Sequence, residues 1–429
     1  MEPNAEIAIE TPVEPGVARV VPAGRRGPPP RAFSALRHRN FRLFWLGQLV
    51  SLSGSWLQVA AMQWLIYRLT GSAFALGWVS FLATLPIVPV SLVGGAIVDR
   101  VPKRKLIVGT QVGLMIQALL LALLTFTGLI EVWHIVVLQF MFGVLSAIDM
   151  PARQAFVVEL VGKDDLQNAI ALNSAIFNGA RAVGPAIAGV LIATLGEAGA
   201  FAVNGFSYIA VIAGLLMMRI QDVAAEREKA SLGSKMMEGF RYLLHQQVLV
   251  ALITLMACIG FFGMTHITLM PVFARDVLGV GAGYYGLLLA AIGIGAVAGA
   301  LAVATLRPGR RSIWLFAGTM GLAVSLVAFA LSSQFVVAFA ALIAAGAGFI
   351  STQALINTLV QVTVEDRLRG RVMSIYSLMF VGSQQVGALA AGAGAQLVGA
   401  QVTVAAGAIV TAVFAIGLFA LVPAVRRLN

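Results

Sequence analysis

The sequence predicts an all-α membrane protein of twelve transmembrane helices in two pseudo-symmetric six-helix halves. Three observations carry that expectation. Only 11% of the 429 residues are charged and 59% are hydrophobic, whereas a soluble domain runs about 25% charged. The apolar runs reach the roughly 20 residues that cross a bilayer as a helix. Finally, 26 of the 29 Lys and Arg residues fall on one side of the map that those runs define, as expected when basic loops stay in the cytoplasm.

Taken in order, residues 1–33 form a cytoplasmic arm, expected to be disordered. Seven of the 15 prolines lie in its first 31 residues, with Glu2, Glu6, Glu10 and Glu14 ahead of the arginines. No apolar core follows a basic start there, so it does not read as a signal peptide. Residues 34–218 form the N-terminal half, with spans at 42–67, 74–98, 106–129, 133–154, 168–194 and 198–218. A polar cytoplasmic linker at 219–247 follows. Residues 248–425 form the C-terminal half, with spans at 248–273, 281–305, 312–331, 335–358, 371–396 and 401–424, and 426–429 is a cytoplasmic tail. Gly and Ala richness suits closely packed helices. The ten-residue alternation of a barrel strand is absent.

The basic side carries the arm, the loop at Arg100–Lys105, Arg153 and Lys163, the linker, the loop at Arg307–Arg311, Arg367–Arg371 and the tail. The other side has Arg68 and Arg275, and Arg181 alone lies inside a span. Both termini are therefore placed in the cytoplasm. Insertion topology accounts for the net charge of +11, and no basic domain exists to bind nucleic acid. The single cysteine, Cys258, lies in a span and forms no intrachain disulfide. No nucleotide-binding glycine loop and no His/carboxylate metal spacing occurs. An enzyme or sensor reading wants an appended soluble domain or a polar catalytic cluster, and neither is visible.

The chain also repeats itself. A shift of 203 positions aligns Gly143 with Gly346, Ser174 with Ser377, Phe177 with Phe380, and Gly179, Gly184 and Gly189 with Gly382, Gly387 and Gly392. Paired halves with a substrate path between them are a common build for secondary transporters.

Between spans 2 and 3, Gly95-Ala-Ile-Val-Asp99-Arg100-Val-Pro-Lys103-Arg104-Lys105 resembles the loop signature of the major facilitator superfamily. Pro102 replaces its second Gly, and Pro cannot take the positive φ that Gly allows. The resemblance implies the major facilitator fold. It also implies a gate in which Asp99 and Arg100 latch the cytoplasmic side against the end of span 4 and the start of span 11 near Gly370. For Lys103 and Arg104 the alternative is plain positive-inside topology. In the second half, Leu306-Arg-Pro-Gly-Arg-Arg311 keeps the basic residues without the Asp, so such a latch is asymmetric.

In span 5, Asn178-Gly179-Ala-Arg181-Ala-Val-Gly184-Pro185-Ala-Ile-Ala-Gly189 resembles the antiporter motif of superfamily exporters, with Ala180 and Ala188 where that pattern has Gly. The match points to export; its alternative is a generic tight helix contact. The runs starting at Asp149, Asn168, Pro271 and Tyr285 are similar to the enterobactin-exporter branch, which covers siderophore, drug and metal exporters. Many relatives carry Asp in span 1 where this chain reads Ser53-Gly54-Ser55-Trp56, so neither a span-1 proton site nor a catechol siderophore as cargo is carried over from them.

Arg181 lies about thirteen residues into its span, so it must face a cavity or an acidic partner. A structural ion pair is the alternative to substrate or proton coupling. Asp149, near the cytoplasmic end of span 4, is expected to pair with Arg153 or Arg100 in the gate, with proton carriage as the alternative. His266 is a titratable candidate, with a hydrogen-bonded neutral group as the alternative. Asn178, Gln58, Asn204 and Gln384, with other embedded amides, are candidate polar points of the cavity, and some of this group merely join helices.

The expectation is a monomeric transporter in the bacterial inner membrane. It exports a small, moderately apolar molecule such as a drug or siderophore in exchange for protons, with no cofactor and no metal. The alternatives are an uptake symporter or facilitator for a small metabolite, or a membrane-embedded sensor.

Overall fold

A computed structural model describes residues 33–86, 90, 101–162, 164–219, 232–306, 309, 311–426 and 428. Gly95, Asp99 and Arg100 of the gate signature, and almost all of the N-terminal arm, lie outside the described residues.

Among the described residues, ten helices are long and apolar enough to cross a membrane. We number the spans α1 (Arg39–Thr70), α2 (Ala73–Thr84), α3 (Lys103–Phe126) and α4 (Val132–Val161). The helical run Leu166–Leu216 breaks at Gly196 (φ 71°, ψ 176°) into α5 and α6, so the ten helices hold eleven of the predicted spans. The C-terminal half has α7 (Gln247–Val277), α8 (Ala282–Ala304), α9 (Arg311–Leu331), α10 (Phe335–Thr363), α11 (Arg369–Val398) and α12 (Ala400–Leu421). The short α2 is the described part of the twelfth predicted span, span 2.

Local chemistry sets the turns. Gly71 ends α1 with φ 59°, a left-handed position that Gly fills without strain, and the Ser72 hydroxyl then caps α2 by accepting from the Ala75 N–H at 3.3 Å. The linker contains a helix, Leu232–Leu244, absent from the sequence reading. Its Glu238 pairs with Arg367 and Arg371 at the head of α11. α7 is not a uniform helix. Wide turns at Ile259–Gly263 and Phe273–Val277 flank short helical pieces, so it wraps between α11 and α12. Such wide turns often mark functional positions.

Within the N-terminal half α1 packs on α5 and α6, and α3 on α4 and α6; within the C-terminal half α8 and α9 pack on α10, and α9 on α12. The halves meet through α2 with α11 and α5 with α8. We call the side of the basic loops the basic side and the opposite one the distal side. The largest apolar core runs through both halves and joins Ala60–Tyr67 and Leu76 to Met270, Phe273 and Tyr285. The basic end of the N-terminal half has a separate core of Phe41, Phe44, Ile107, Phe156 and Leu215.

Candidate functional site

At the basic end, α4 places Asp149 and Arg153 one turn apart, with Nε 2.7 Å from Oδ2. Asp149 is fully buried. Its Oδ1 accepts from the Thr110 hydroxyl at 2.7 Å and the Gln111 amide at 3.0 Å, both on α3. Arg153 also donates to Gln48 of α1 at 2.6 Å. A buried carboxylate needs such donors and a counter-charge, so this cluster ties α1, α3 and α4 together. Lys103 pairs with Glu159 of α4, and Arg104 caps α6 by donating to the carbonyls of Leu215 at 2.8 Å and Leu216 at 2.9 Å. All four of these side chains therefore find partners within their own half.

Three sequence candidates do not line the space between the halves. Gln58 is 2% exposed and Asn204 fully buried, and they are bonded to each other at 2.6 Å. Gln58 donates onward to Gln117 of α3 at 3.0 Å. Both are polar joints among α1, α3 and α6. His266, 1% exposed, has Nδ1 3.0 Å from the Gly263 carbonyl and its ring edge-on to Phe329 of α9. It belongs to the interior of the C-terminal half.

Among the described residues, the hydrogen bonds, ring contacts and close glycine contacts that cross between halves all lie in the distal parts of the helices. A Cβ on Gly189 of α5 would stand 2.5 Å from the Gly286 Cα of α8. One on Gly77 of α2 would stand 2.4 Å from the Ala388 carbonyl of α11, and one on Gly392 of α11 2.7 Å from that of Ala73. Tyr285 donates to the Ala60 carbonyl at 3.1 Å and lies against Trp64. Tyr67 donates to Asp276 of α7, with the Arg275 guanidinium 5.9 Å over its ring. Close by, Arg68 pairs with Glu197 at 2.7 Å. The sequence reading missed the Tyr67–Asp276 contact, which joins residues 209 positions apart.

The antiporter-like stretch divides between two jobs. Gly184 lets α5 lie on α1, where a Cβ would meet Trp56 at 2.7 Å and the Ser53 carbonyl at 2.9 Å. Pro185 and Gly189 face Gly286 across the seam. Gly179 has no heavy atom within 4 Å of the Cβ it would carry. On the basic side of this crossing the α5 face that continues the seam turns outward, and Ser174, Ala175 and Asn178 are exposed. Among the described residues, the hydrogen bonds, ring contacts and close glycine contacts between the halves thus end on the basic side of this crossing.

Arg181 lies one turn inward from Pro185, half-buried, between the stripe that packs on α1 (Phe177, Gly184) and the stripe that meets α8 (Pro185, Gly189). It makes no hydrogen bond or ion pair with any described residue. A charge so placed costs about 2.5–3.5 kcal/mol on insertion scales. Asn178 donates to the Ser174 carbonyl at 2.9 Å. Gln384, half-buried, stands on α11 where that helix crosses Gly260 of α7.

Residues 31–429 match the family model described as transmembrane secretion effectors. The multidrug efflux pump Tap of Mycolicibacterium fortuitum is 26% identical over 360 residues, which is 80% of this chain and 86% of that protein. The staphyloferrin A transporter of Staphylococcus aureus is 26% identical over 260 residues, or 60% of this chain and 64% of that one. Among solved structures, a bacterial homologue of the human lysosomal transporter Spinster superposes with a TM-score of 0.68 at 16% identity, covering 91% of this chain and 97% of that chain.

Proposed function

This chain belongs to the transmembrane secretion effectors of the major facilitator superfamily, and from that premise we propose that it exports a small, moderately apolar molecule in exchange for protons. That it is a multi-pass membrane transporter rather than an enzyme follows from the family and its relatives. The direction, the coupling and the rocking of one half against the other are our reading. One observation carries it: the distal seam is closed on Gly189 of the antiporter-like stretch, while the α5 face that continues it is exposed at Ser174, Ala175 and Asn178, which we read as a cleft between the halves opening on the basic side.

On the retention of basic loops we read the basic side as the cytoplasm, with both termini there, and on the bacterial relatives we read the membrane as the bacterial inner one. The described state then loads from the cytoplasm, as an exporter must before it releases its cargo outside. A relative named as a multidrug efflux pump supports the same direction. The molecule works as a monomer, since the cleft lies between its own two halves, and the proton gradient stands in place of a cofactor. Asp149 with Arg153, next to Lys103 and Arg104, forms the described part of the cytoplasmic gate. Arg181, with Asn178 and Gln384, supplies the polar points of the cleft.

The test is loss of a panel of dyes, antibiotics and siderophores from cells lacking their own pumps, with and without a protonophore. Protonophore-sensitive loss is expected. Accumulation of the same compounds refutes export, and protonophore-insensitive loss refutes the coupling.

A further inference from the structure

We propose that Arg181 selects the cargo by charge: the transported molecule carries an anionic group, of carboxylate or phenolate type, on an apolar or aromatic body. The inference rests on the transport reading above and names its substrate class. Arg181 projects between the α1 and α8 stripes of α5, at the depth where the halves begin to diverge. Across the described residues no carboxylate pairs with it. Of the 18 acidic residues in the sequence, those in the described spans are engaged elsewhere: Asp149 with Arg153, Thr110 and Gln111, Glu159 with Lys103, Glu197 with Arg68 and Asp276 with Tyr67. The polar neighbours named for the cleft, Asn178 and Gln384, are neutral. The described cleft therefore carries an uncompensated positive charge.

A half-buried guanidinium without a counter-ion has lost part of its hydration and gained no partner. An entering anion repays that loss, while an entering cation adds repulsion in a medium of reduced dielectric. The planar fork of Arg matches a carboxylate in a way that a compact ammonium does not. Next to it, Trp56 and Phe177 stand edge to face at 5.8 Å, both half-buried. They offer an aromatic wall for the rest of the molecule.

Two xanthene dyes of similar skeleton and opposite charge, fluorescein and rhodamine 123, test the charge preference. Their binding to the purified full-length protein is followed by quenching of its tryptophan fluorescence. Fluorescein is expected to bind at least tenfold tighter than rhodamine 123, and to weaken as salt is raised. R181Q should reduce that ratio at least tenfold, while R181K, which keeps the charge, should retain most of it. Tighter binding of rhodamine 123, a ratio unchanged in R181Q, or no binding of either dye at millimolar concentration would overturn the proposal. The wild-type preference decides the matter even where R181Q does not fold. Failure of the export reading looks different, because fluorescein uptake into proteoliposomes in the wrong direction would leave anion preference intact.

Discussion

Gly189→Ala is expected to pry the distal seam open. The added Cβ would lie 2.5 Å from the Gly286 Cα and 3.1 Å from the Ala282 carbonyl oxygen, whereas carbon atoms rest at about 3.5–4.0 Å. Both obstacles are backbone, so no side chain can swing away and α5 and α8 must part by about 1 Å. Overpacking of this kind costs about 1–3 kcal/mol, a bias of about 5–150-fold against the closed seam. Ala is the better helix former by about 1 kcal/mol, but that gain is equal in both states and cancels from the balance between them. Spin labels at Phe74 and Gln401, on the distal ends of the two halves, in a Cys258→Ala background, read the separation by pulsed electron resonance. The variant should show a longer-distance population that the parent lacks. An unchanged distance distribution with a raised melting temperature would mean that the helices slide to accommodate the methyl, and would refute the seam argument.

Tyr67→Phe removes the hydroxyl donor to Asp276; hydrogen bonds to charged groups are worth about 1.5–3 kcal/mol, so the same distance measurement should shift in the same direction, and Asp276→Asn should add little to it. Equal additive shifts from the two changes would show that they do not act through one contact. Asp149→Asn leaves Arg153, 23% exposed, beside a neutral amide. Breaking a buried pair costs about 3–5 kcal/mol, and the partial exposure of Arg153 favours the low end, so the melting temperature in detergent should fall; an unchanged or higher value counts against the clamp. At the basic surface, hydrogen bonds from Ser34 at 2.6 Å and then His38 at 2.8 Å hold the Asp165 carboxyl below its usual value of 3.8. A depressed folded pKa gives a contribution present above the ordinary value and lost as pH falls through the folded one; Ser34→Ala should raise the pKa read by carboxyl NMR, and no rise would break the assignment.

The spans were legible because a bilayer demands length and apolarity that hydropathy reports directly, and the glycines of α5 were legible because close helix approach demands small residues. Which face each helix presents was not. In water an apolar stripe marks the buried side, but here lipid and core are both apolar, so periodicity carries little information. That is why Gln58 and Asn204 looked like cavity residues and sit instead between α1, α3 and α6. For His266 the alternative of a hydrogen-bonded group in the helix interior matches its contact with the Gly263 carbonyl. The breaks in α7 were hidden as well, since the residues of its wide turns at 259–263 and 273–277 are as apolar as those of regular helix around them, Arg275 and Asp276 apart. The Tyr67–Asp276 contact needs the tertiary arrangement to be seen at all. The pairing of Asp149 with Arg153 was readable, because i and i+4 share a helix face.

The two ends of the molecule are held by different chemistry, and this bears on which end sets the conformational balance. At the basic end the described ion pairs lie within the N-terminal half, Asp149 with Arg153 and Lys103 with Glu159, or tie the linker to the C-terminal half, Glu238 with Arg367 and Arg371. Rocking one half against the other leaves all of them intact. The surface pairs among them are worth only about 0–1 kcal/mol each. At the distal end the contacts cross between halves and consist of backbone laid on backbone at Gly189, Gly77 and Gly392, locked by Tyr67 and Tyr285. Opening that end must separate every one of these at once, because the helices that carry them are stiff. The cost of leaving the described state therefore lies in the distal seam, and substitutions there should shift the balance between states more than substitutions of the surface ion pairs at the basic end.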